Sequence, residues 1–253
     1  TFEHLASSTY QGQGPDEITI IGHVGIDETN RRFFVSDHGK LKIFAYDLDS
    51  VLTTPEYQPS VKIDMKKKLF PDDYLYLNDT LCIAKIIEPI GNNDYKPSVA
   101  RWNMATGEIN PMPYEYPDLK KVRFIYAASA EHQLYVQCYT QYDLMTICDF
   151  NGNLKCNIYG PKWVNEKTQT QHYSLGVEFC GDKILALYSG GDHRTDAYYP
   201  TKFLVFDLNG NYLKTLETGY MITDFCYDKE NNRLIINLND EIQFAYLDLE
   251  GII

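Results

Sequence analysis

Positive charge is scarce in this 253-residue chain: 23 lysines and arginines stand against 35 aspartates and glutamates, a net of -12. That balance repels a phosphate backbone or an anionic bilayer, so no nucleic-acid partner is expected and a membrane is reached only through a lipid anchor upstream. Long apolar runs are missing, and nothing approaches the roughly 18 to 20 residues a spanning helix requires. No basic, apolar leader stands at the start, which is Thr1 rather than Met, so an upstream segment is expected to have been removed.

Cysteine is sparse and badly spaced for metal or redox work. Cys82, Cys138, Cys148, Cys156, Cys180 and Cys226 include no C-x-x-C pair and sit mostly in apolar, strand-like runs, which favours buried thiols over a disulfide framework. His-Glu-x-x-His and the Walker phosphate loop are absent, and Ser189 in Leu187-Tyr-Ser-Gly-Gly191 lacks the first glycine of a nucleophile elbow. Gly12-Gln-Gly14 is followed by Glu17 where a dinucleotide fingerprint has its third glycine, and no βαβ unit surrounds it. It reads as a loop in which glycines supply positive φ, Pro15 fixes φ and Glu17 accepts backbone N–H groups.

What the sequence does have is a repeat. Arg31–Asp37 then Leu41–Asp49 read as adjacent β-strands, rich in β-branched and aromatic residues and bounded by turn formers. The pair recurs as Leu81–Ile87 with Val99–Gly107, Leu134–Tyr139 with Leu144–Gly152, Ile184–Tyr188 with Phe203–Gly210, and Leu234–Leu238 with Phe244–Gly251. Each copy closes on a turn signature, Asp49-Ser50, Thr106-Gly107, Asn151-Gly152, Asn209-Gly210 or Glu250-Gly251, after which a further strand is expected. Asp47, Asn103, Asp149, Asp207 and Asp248 are equivalent positions, 56, 46, 58 and 41 residues apart, near the roughly 40 to 50 of a four-stranded propeller blade. Helical periodicity is nowhere sustained. The expectation is an all-β propeller, 1–253 as one domain, with five blades counted and six open. Its ring is closed by the N-terminal strand Phe2–Tyr10 pairing with the last blade.

Gly12-Gln-Gly-Pro-Asp-Glu17, the strand ending Phe206-Asp-Leu-Asn-Gly210 and the stretch Ile222–Leu234 resemble the TolB-like six-bladed β-propeller proteins of Bacteroidetes. The resemblance implies an exported protein, in the periplasm or associated with the outer membrane as a lipoprotein. It brings no agreed reaction and no catalytic residues, and it implies six blades where five are counted.

Loops gathered at one end of a propeller carry its binding groups. Two insertions, 160–173 and 189–200, should be neighbours on that face, joined by the long loop 88–97 and the Asp37-His38 turn. Together they offer Asp37, His38, Asn92, Asn93, Asp94, Tyr142, Trp163, Asp192, His193, Arg194, Asp196, Tyr198 and Tyr199. Rings beside amides, carboxylates and an arginine suit a protein, peptide or glycan ligand, because rings cover apolar surface while polar groups fix orientation. His193 with Asp192 and Asp196, joined by Asp37 and His38, is a candidate set for a divalent metal. Otherwise no cofactor is expected. Lys62 and Lys66–Lys68 read as a solvated cluster that keeps an edge strand from pairing. The leading expectation is a monomeric, exported, non-catalytic binding module; the alternative is a metal-assisted lyase or hydrolase acting on a polysaccharide or peptide.

Overall fold

The computed structural model describes residues 4–66, 68–91, 94–117 and 119–253, and for Asp196 the backbone alone. The chain divides into two compact units, Thr1–Met112 and Pro113–Ile253. The first holds two antiparallel sheets. One is β1 (Ile21–Asp27), β2 (Arg32–Asp37), β3 (Lys42–Asp47) and β4 (Ser60–Asp64), with the short helix α1 (Leu48–Thr53) between its last two strands; the other is β5 (Phe70–Asn78), β6 (Leu81–Gly91), β7 (Asp94–Asn103) and β8 (Glu108–Pro111). The second unit holds three: β9 (Phe124–Ser129) to β12 (Leu154–Tyr159) through β10 (Leu134–Tyr139) and β11 (Leu144–Asp149); β13 (Thr170–Cys180) to β16 (Tyr212–Glu217) through β14 (Lys183–Asp192) and β15 (Lys202–Asp207); and β17 (Ile222–Asp228), β18 (Arg233–Leu238) and β19 (Phe244–Asp248). Every sheet is a meander of sequential strands, the arrangement of a propeller blade.

The repeated acidic or amide position has a physical cause. Its side chain accepts the N–H groups of the turn that follows: Asp47 from Ser50 at 2.7 Å, Asn103 from Ala105 and Thr106 at 3.0 Å, and Asp248 from Glu250 at 3.0 Å. Asp149 and Asp207 do the same for Asn151 with Asn153 and Asn209 with Asn211. The Asn-Gly pairs are not two-residue hairpins. Gly152 (φ +78°) and Gly210 (φ +84°) sit in the connections 150–153 and 208–211, where glycine takes the left-handed conformation, and the register slips at the start of the strand that follows. The turn at Asp49-Ser50 is instead the first turn of α1, capped by Asp47.

Within each unit, the strands bury alternate faces against the neighbouring sheet. Phe34, Ile43, Tyr74, Ala84 and Trp102 fill the space between the two sheets of the first unit; Val136, Ile147, Tyr173, Ile184 and Phe206 do so between the first and second sheets of the second unit, and Phe203, Val205, Leu234 and Ile236 between its second and third. Four cysteines lie inside these layers and all six are free thiols, as the strand context suggests; Cys226 alone is exposed.

Several sequence expectations are corrected. Residues 88–97 are not a loop: β6 and β7 continue as a hairpin in which Glu88 faces Lys96 and Gly91 faces Asp94. The insertion at 160–173 ends early because β13 begins at Thr170, and Ser189–Asp192 belong to β14, where Asp192 faces Thr170 and Gly191 faces Gln171. Lys62 is no solvated charge; it is largely buried, 2.7 Å from Asp79, on outer strand β4. Lys67 lies outside the described residues. The third sheet of the second unit has three strands among the described residues, and Glu250-Gly251 leads into a turn rather than a strand. Of the expected N-terminal closing strand, residues 1–3 lie outside the described residues, and residues 4–10 form no strand. The Gly12–Glu17 loop keeps its glycines for space, not for positive φ. A Cβ on Gly12 would stand 2.0 Å from the Glu17 carboxylate, which accepts the Gly14 N–H at 2.7 Å. No described helix is long and apolar enough to cross a membrane.

Candidate functional site

In the first unit, Asp37 is fully buried and spent on structure. Its carboxylate accepts four backbone N–H groups, from Thr19 (2.8 Å), Ile20 (3.1 Å), Gly39 (2.9 Å) and Lys40 (3.1 Å). Burial raises its pKa, but those four donors outweigh burial and leave it below the usual carboxylate value. Three of these donors share Oδ1 and one takes Oδ2, so the carboxylate serves to hold the backbone around it. His38 lies against Phe70, ring centroids 5.8 Å apart, with Nε2 buried. Asp94 bonds the N–H of Tyr95 at 3.0 Å, and Asn92 and Asn93 lie outside the described residues. This unit also has an open groove of about 570 Å³ between residues 6–10 and 51–58, which nothing in the sequence marks.

The second unit brings more of the expected residues together. The 160-loop and the β14–β15 connection are neighbours, as the blade geometry predicts: His193 donates through Nδ1 to the carbonyl of Gln169 (2.9 Å), and its backbone N–H bonds the same oxygen at 3.1 Å. A Cβ on Gly190 would come within 3.7 Å of the Lys162 ammonium. Arg194 clamps Asp192 through Nε at 3.0 Å and Nη2 at 2.6 Å, and these bonds, with the Arg194 backbone N–H, hold the Asp192 carboxyl far below its ordinary range. Tyr198 and Tyr199 stack at 4.2 Å on a 3₁₀ turn, Asp196–Tyr198. Asp192 is bound to Arg194 and His193 to a carbonyl, the Asp196 side chain lies outside the described residues, and no cluster of three metal-ligating side chains occurs among the described residues.

Two features were missed by sequence reasoning. The first is a buried network of Asp143, His172 and Tyr188. Asp143 and His172 are each 1% exposed; Tyr188 donates to Asp143 at 3.3 Å, His172 Nδ1 stands 3.2 Å from the Tyr188 hydroxyl and 3.7 Å from Asp143, and the Lys162 N–H donates to Asp143 at 2.9 Å. Burial pushes the His172 pKa down against the pull of Asp143, with Lys162 adding to the fall. Gly160 is required here: a Cβ would lie 2.2 Å from the Asp143 carboxyl carbon. The network fixes the 160-loop in place.

The second is the aromatic ledge that the loop carries. Tyr142 and Trp163, both anticipated, come to 6.4 Å, and Tyr159 and Tyr116 join them at 5.1 and 5.9 Å from the Trp163 ring. Tyr142 is buried and donates to the carbonyl of Lys120 at 2.8 Å, tying the 113–123 segment to the ledge, while Asn157 bonds Tyr114 at 2.8 Å. Tyr159 is half exposed, and Trp163 and Tyr116 are partly so. Tyr159 ends β12, a position whose outward turn only strand registration reveals.

Comparison with known proteins bears on the fold. Residues 8–80 match the model of the DUF5128 family, described as a 6-bladed beta-propeller. This is a β-propeller. No curated protein matches the chain in sequence. Among solved structures, the extracellular domain of BT4673 from B. thetaiotaomicron superposes with a TM-score of 0.60 at 10% identity; the match covers 96% of this chain but spans only 29% of that one. A member of the duf4221 family from Bacteroides vulgatus gives 0.60 at 12% identity over 94% of this chain and 82% of its own. A chain of the nidogen/laminin complex gives 0.58 at 10% identity over 91% and 76%. Such identities speak for the propeller fold alone, which five meander sheets here express and the family model describes with six.

Proposed function

We propose that this propeller is an exported, non-catalytic interaction module of TolB-like type, held at the cell envelope and recognising a protein, peptide or glycan. One observation carries the reading: the partly exposed rings of Tyr116, Tyr159 and Trp163, packed with the buried Tyr142 beside a loop that Asp143 anchors through the Lys162 N–H. Ordered rings at a half-exposed surface offer binding area at little entropic cost, and a preformed site loses less on association than a mobile one. In the same unit, Asp143 and Asp192 are occupied by structural hydrogen bonds, which favours binding over acid–base chemistry. The BT4673 extracellular domain and the nidogen/laminin complex show this fold in surroundings of that kind. The test is a thermal-unfolding screen against oligosaccharide and peptide panels. A ligand at 100 times its Kd adds about 2.7 kcal/mol to stability, and the shift it produces should vanish in Trp163→Ala. Shifts that survive this substitution would place recognition elsewhere.

A further inference from the structure

We infer that the ledge takes an anionic oligosaccharide, its sugar ring set against Trp163 and its carboxylate or sulfate group held by lysine; this rests on the reading of the ledge as the interaction surface. The charge distribution is the reason. In a chain of net charge -12, the two segments that carry Tyr116 and Trp163 hold Lys120, Lys121, Lys162 and Lys167, against Glu115 and Glu166 among the described residues. Lys162 precedes Trp163 and is anchored through its backbone N–H to Asp143 at 2.9 Å. Lys120 gives its carbonyl to Tyr142 at 2.8 Å, Lys121 follows it, and Lys167 precedes Thr168, whose N–H bonds the Gln141 carbonyl at 3.2 Å beside Tyr142.

All four side chains are exposed, and among the described residues none stands within ion-pair distance of a carboxylate. Elsewhere the chain neutralises its cations readily: Arg31 pairs with Asp49, Arg32 with Asp27, Lys85 with Asp72 and Arg233 with Asp228. A local excess of lysines over glutamates beside rings, in a protein rich in carboxylates, creates an attraction for anions that the rest of the surface opposes.

The ring chemistry selects the class of anion. Tyr116 and Tyr159 bring their hydroxyls to 3.3 Å from one another at the ledge, so the surface combines ring area with hydroxyl donors and acceptors. The rings packed against Trp163 are those of Tyr116, Tyr142 and Tyr159, and the exposed Val164 follows it in the chain. The C–H face of a pyranose against an indole, hydroxyls against phenols and an acidic substituent against an ammonium satisfy all three features together.

The experiment is calorimetric titration of the 253-residue chain with hexagalacturonate, a heparin hexasaccharide and neutral maltohexaose. Binding is expected for one or both acidic oligosaccharides and not for maltohexaose, weakening as salt is raised from 50 to 500 mM by the usual screening. Lys162→Glu with Lys120→Glu should lower affinity by about tenfold or more, and Trp163→Ala by about tenfold. Trp163→Phe, which keeps a ring, should recover most of the loss and shows that the loop still folds. Hexagalacturonate alone binding would assign a uronate, heparin alone a sulfate.

Acidic oligosaccharides that bind Trp163→Ala and the parent protein equally would mean ion exchange on lysine, and would overturn the inference. Maltohexaose or an uncharged peptide binding through Trp163 without regard to the lysines would also overturn it, while leaving the ledge as the interaction surface. Failure of all three oligosaccharides to bind, with a peptide from the broader panel binding away from Trp163, would overturn both readings.

Discussion

Gly160→Ala is the sharpest probe of how the second unit holds its loop. A Cβ built there would lie 2.2 Å from both the carboxyl carbon and Oδ1 of Asp143, and 2.3 Å from Oδ2. Contacts that short do not persist, so either the 160-loop moves outward or Asp143 rotates away. Rotation sacrifices the 2.9 Å bond from Lys162 and the 3.3 Å bond from Tyr188, both to a side chain 1% exposed. Overpacking of this kind costs about 1 to 3 kcal/mol, and each weakened buried hydrogen bond adds about 1 kcal/mol. Together, with two bonds weakened, the expected loss is roughly 3 to 5 kcal/mol, or about 6 to 20 °C in Tm for a chain of this size. Two tryptophans allow a clean assay, because Trp102 is buried in the first unit and Trp163 stands on the affected loop of the second. Urea unfolding followed by fluorescence should lose stability in a Trp102→Phe background, where only Trp163 reports. The decisive comparison is a double-mutant cycle with Asp143→Ala. Removing the carboxylate vacates the space the new methyl needs, so the two losses should fall short of adding by at least about 1 kcal/mol. Strict additivity would refute the steric argument.

Other outcomes follow from the same geometry. Asp37→Ala leaves four backbone donors without their acceptor and should cost roughly 2 to 4 kcal/mol, seen by Trp102 fluorescence in the first unit; a loss below about 0.5 kcal/mol would contradict the anchoring role. Because the folded pKa of Asp37 lies below its unfolded value, its contribution is present above about pH 4 and fades as pH falls through the folded value; acid titration of the parent and of Asp37→Asn should differ only in that range. The His172 pKa is depressed, so the unfolded chain binds the extra proton and stability falls as pH drops below the ordinary value of 6.5. Substitution by Gln should flatten that part of the stability–pH curve, and an unchanged slope would speak against it. Thiol titration of the native protein should find Cys226 reacting first, with Cys82 and Cys148, pushed up to about 12 and about 11, reacting only on unfolding.

How much of this was legible in the sequence depends on the range of the interaction. The repeated Asp or Asn closing each third strand is read directly, because its side chain bonds N–H groups two to four residues away. Runs of β-branched and aromatic residues bounded by turn formers mark the second strand of every sheet, within a residue in β2, β10 and β18 but stopping four residues short in β6 and β14. The fold class follows from those two local signals. The loops were read less well: 88–97 became a hairpin because Glu88 and Lys96 find one another across strands, and the polar run after Ser189 continues β14 because Thr170 and Gln171 supply partners from the preceding connection. Composition marks such stretches as polar and stops there.

The site divides in the same way. Tyr142 and Trp163 were picked from the sequence as aromatic residues in or beside loops, and they do meet. Tyr116 and Tyr159 were not, since one lies in an unremarkable connection and the other ends an outer strand. Asp37, read as a ligand-binding carboxylate, turns inward because a backbone that turns there leaves donors to be satisfied, and Asp192 is held at the surface by the Arg194 guanidinium and N–H. Asp143, His172 and Tyr188 are separated by up to 45 residues and carry no motif; only the packing of adjacent sheets brings them within hydrogen-bonding reach. Local hydrogen bonding and side-chain periodicity are written into neighbouring residues, and so the sequence alone determined a propeller of meander sheets. Which polar groups are spent on structure and which rings and lysines are left facing outward is decided by contacts between distant segments, and those exist only in the folded chain.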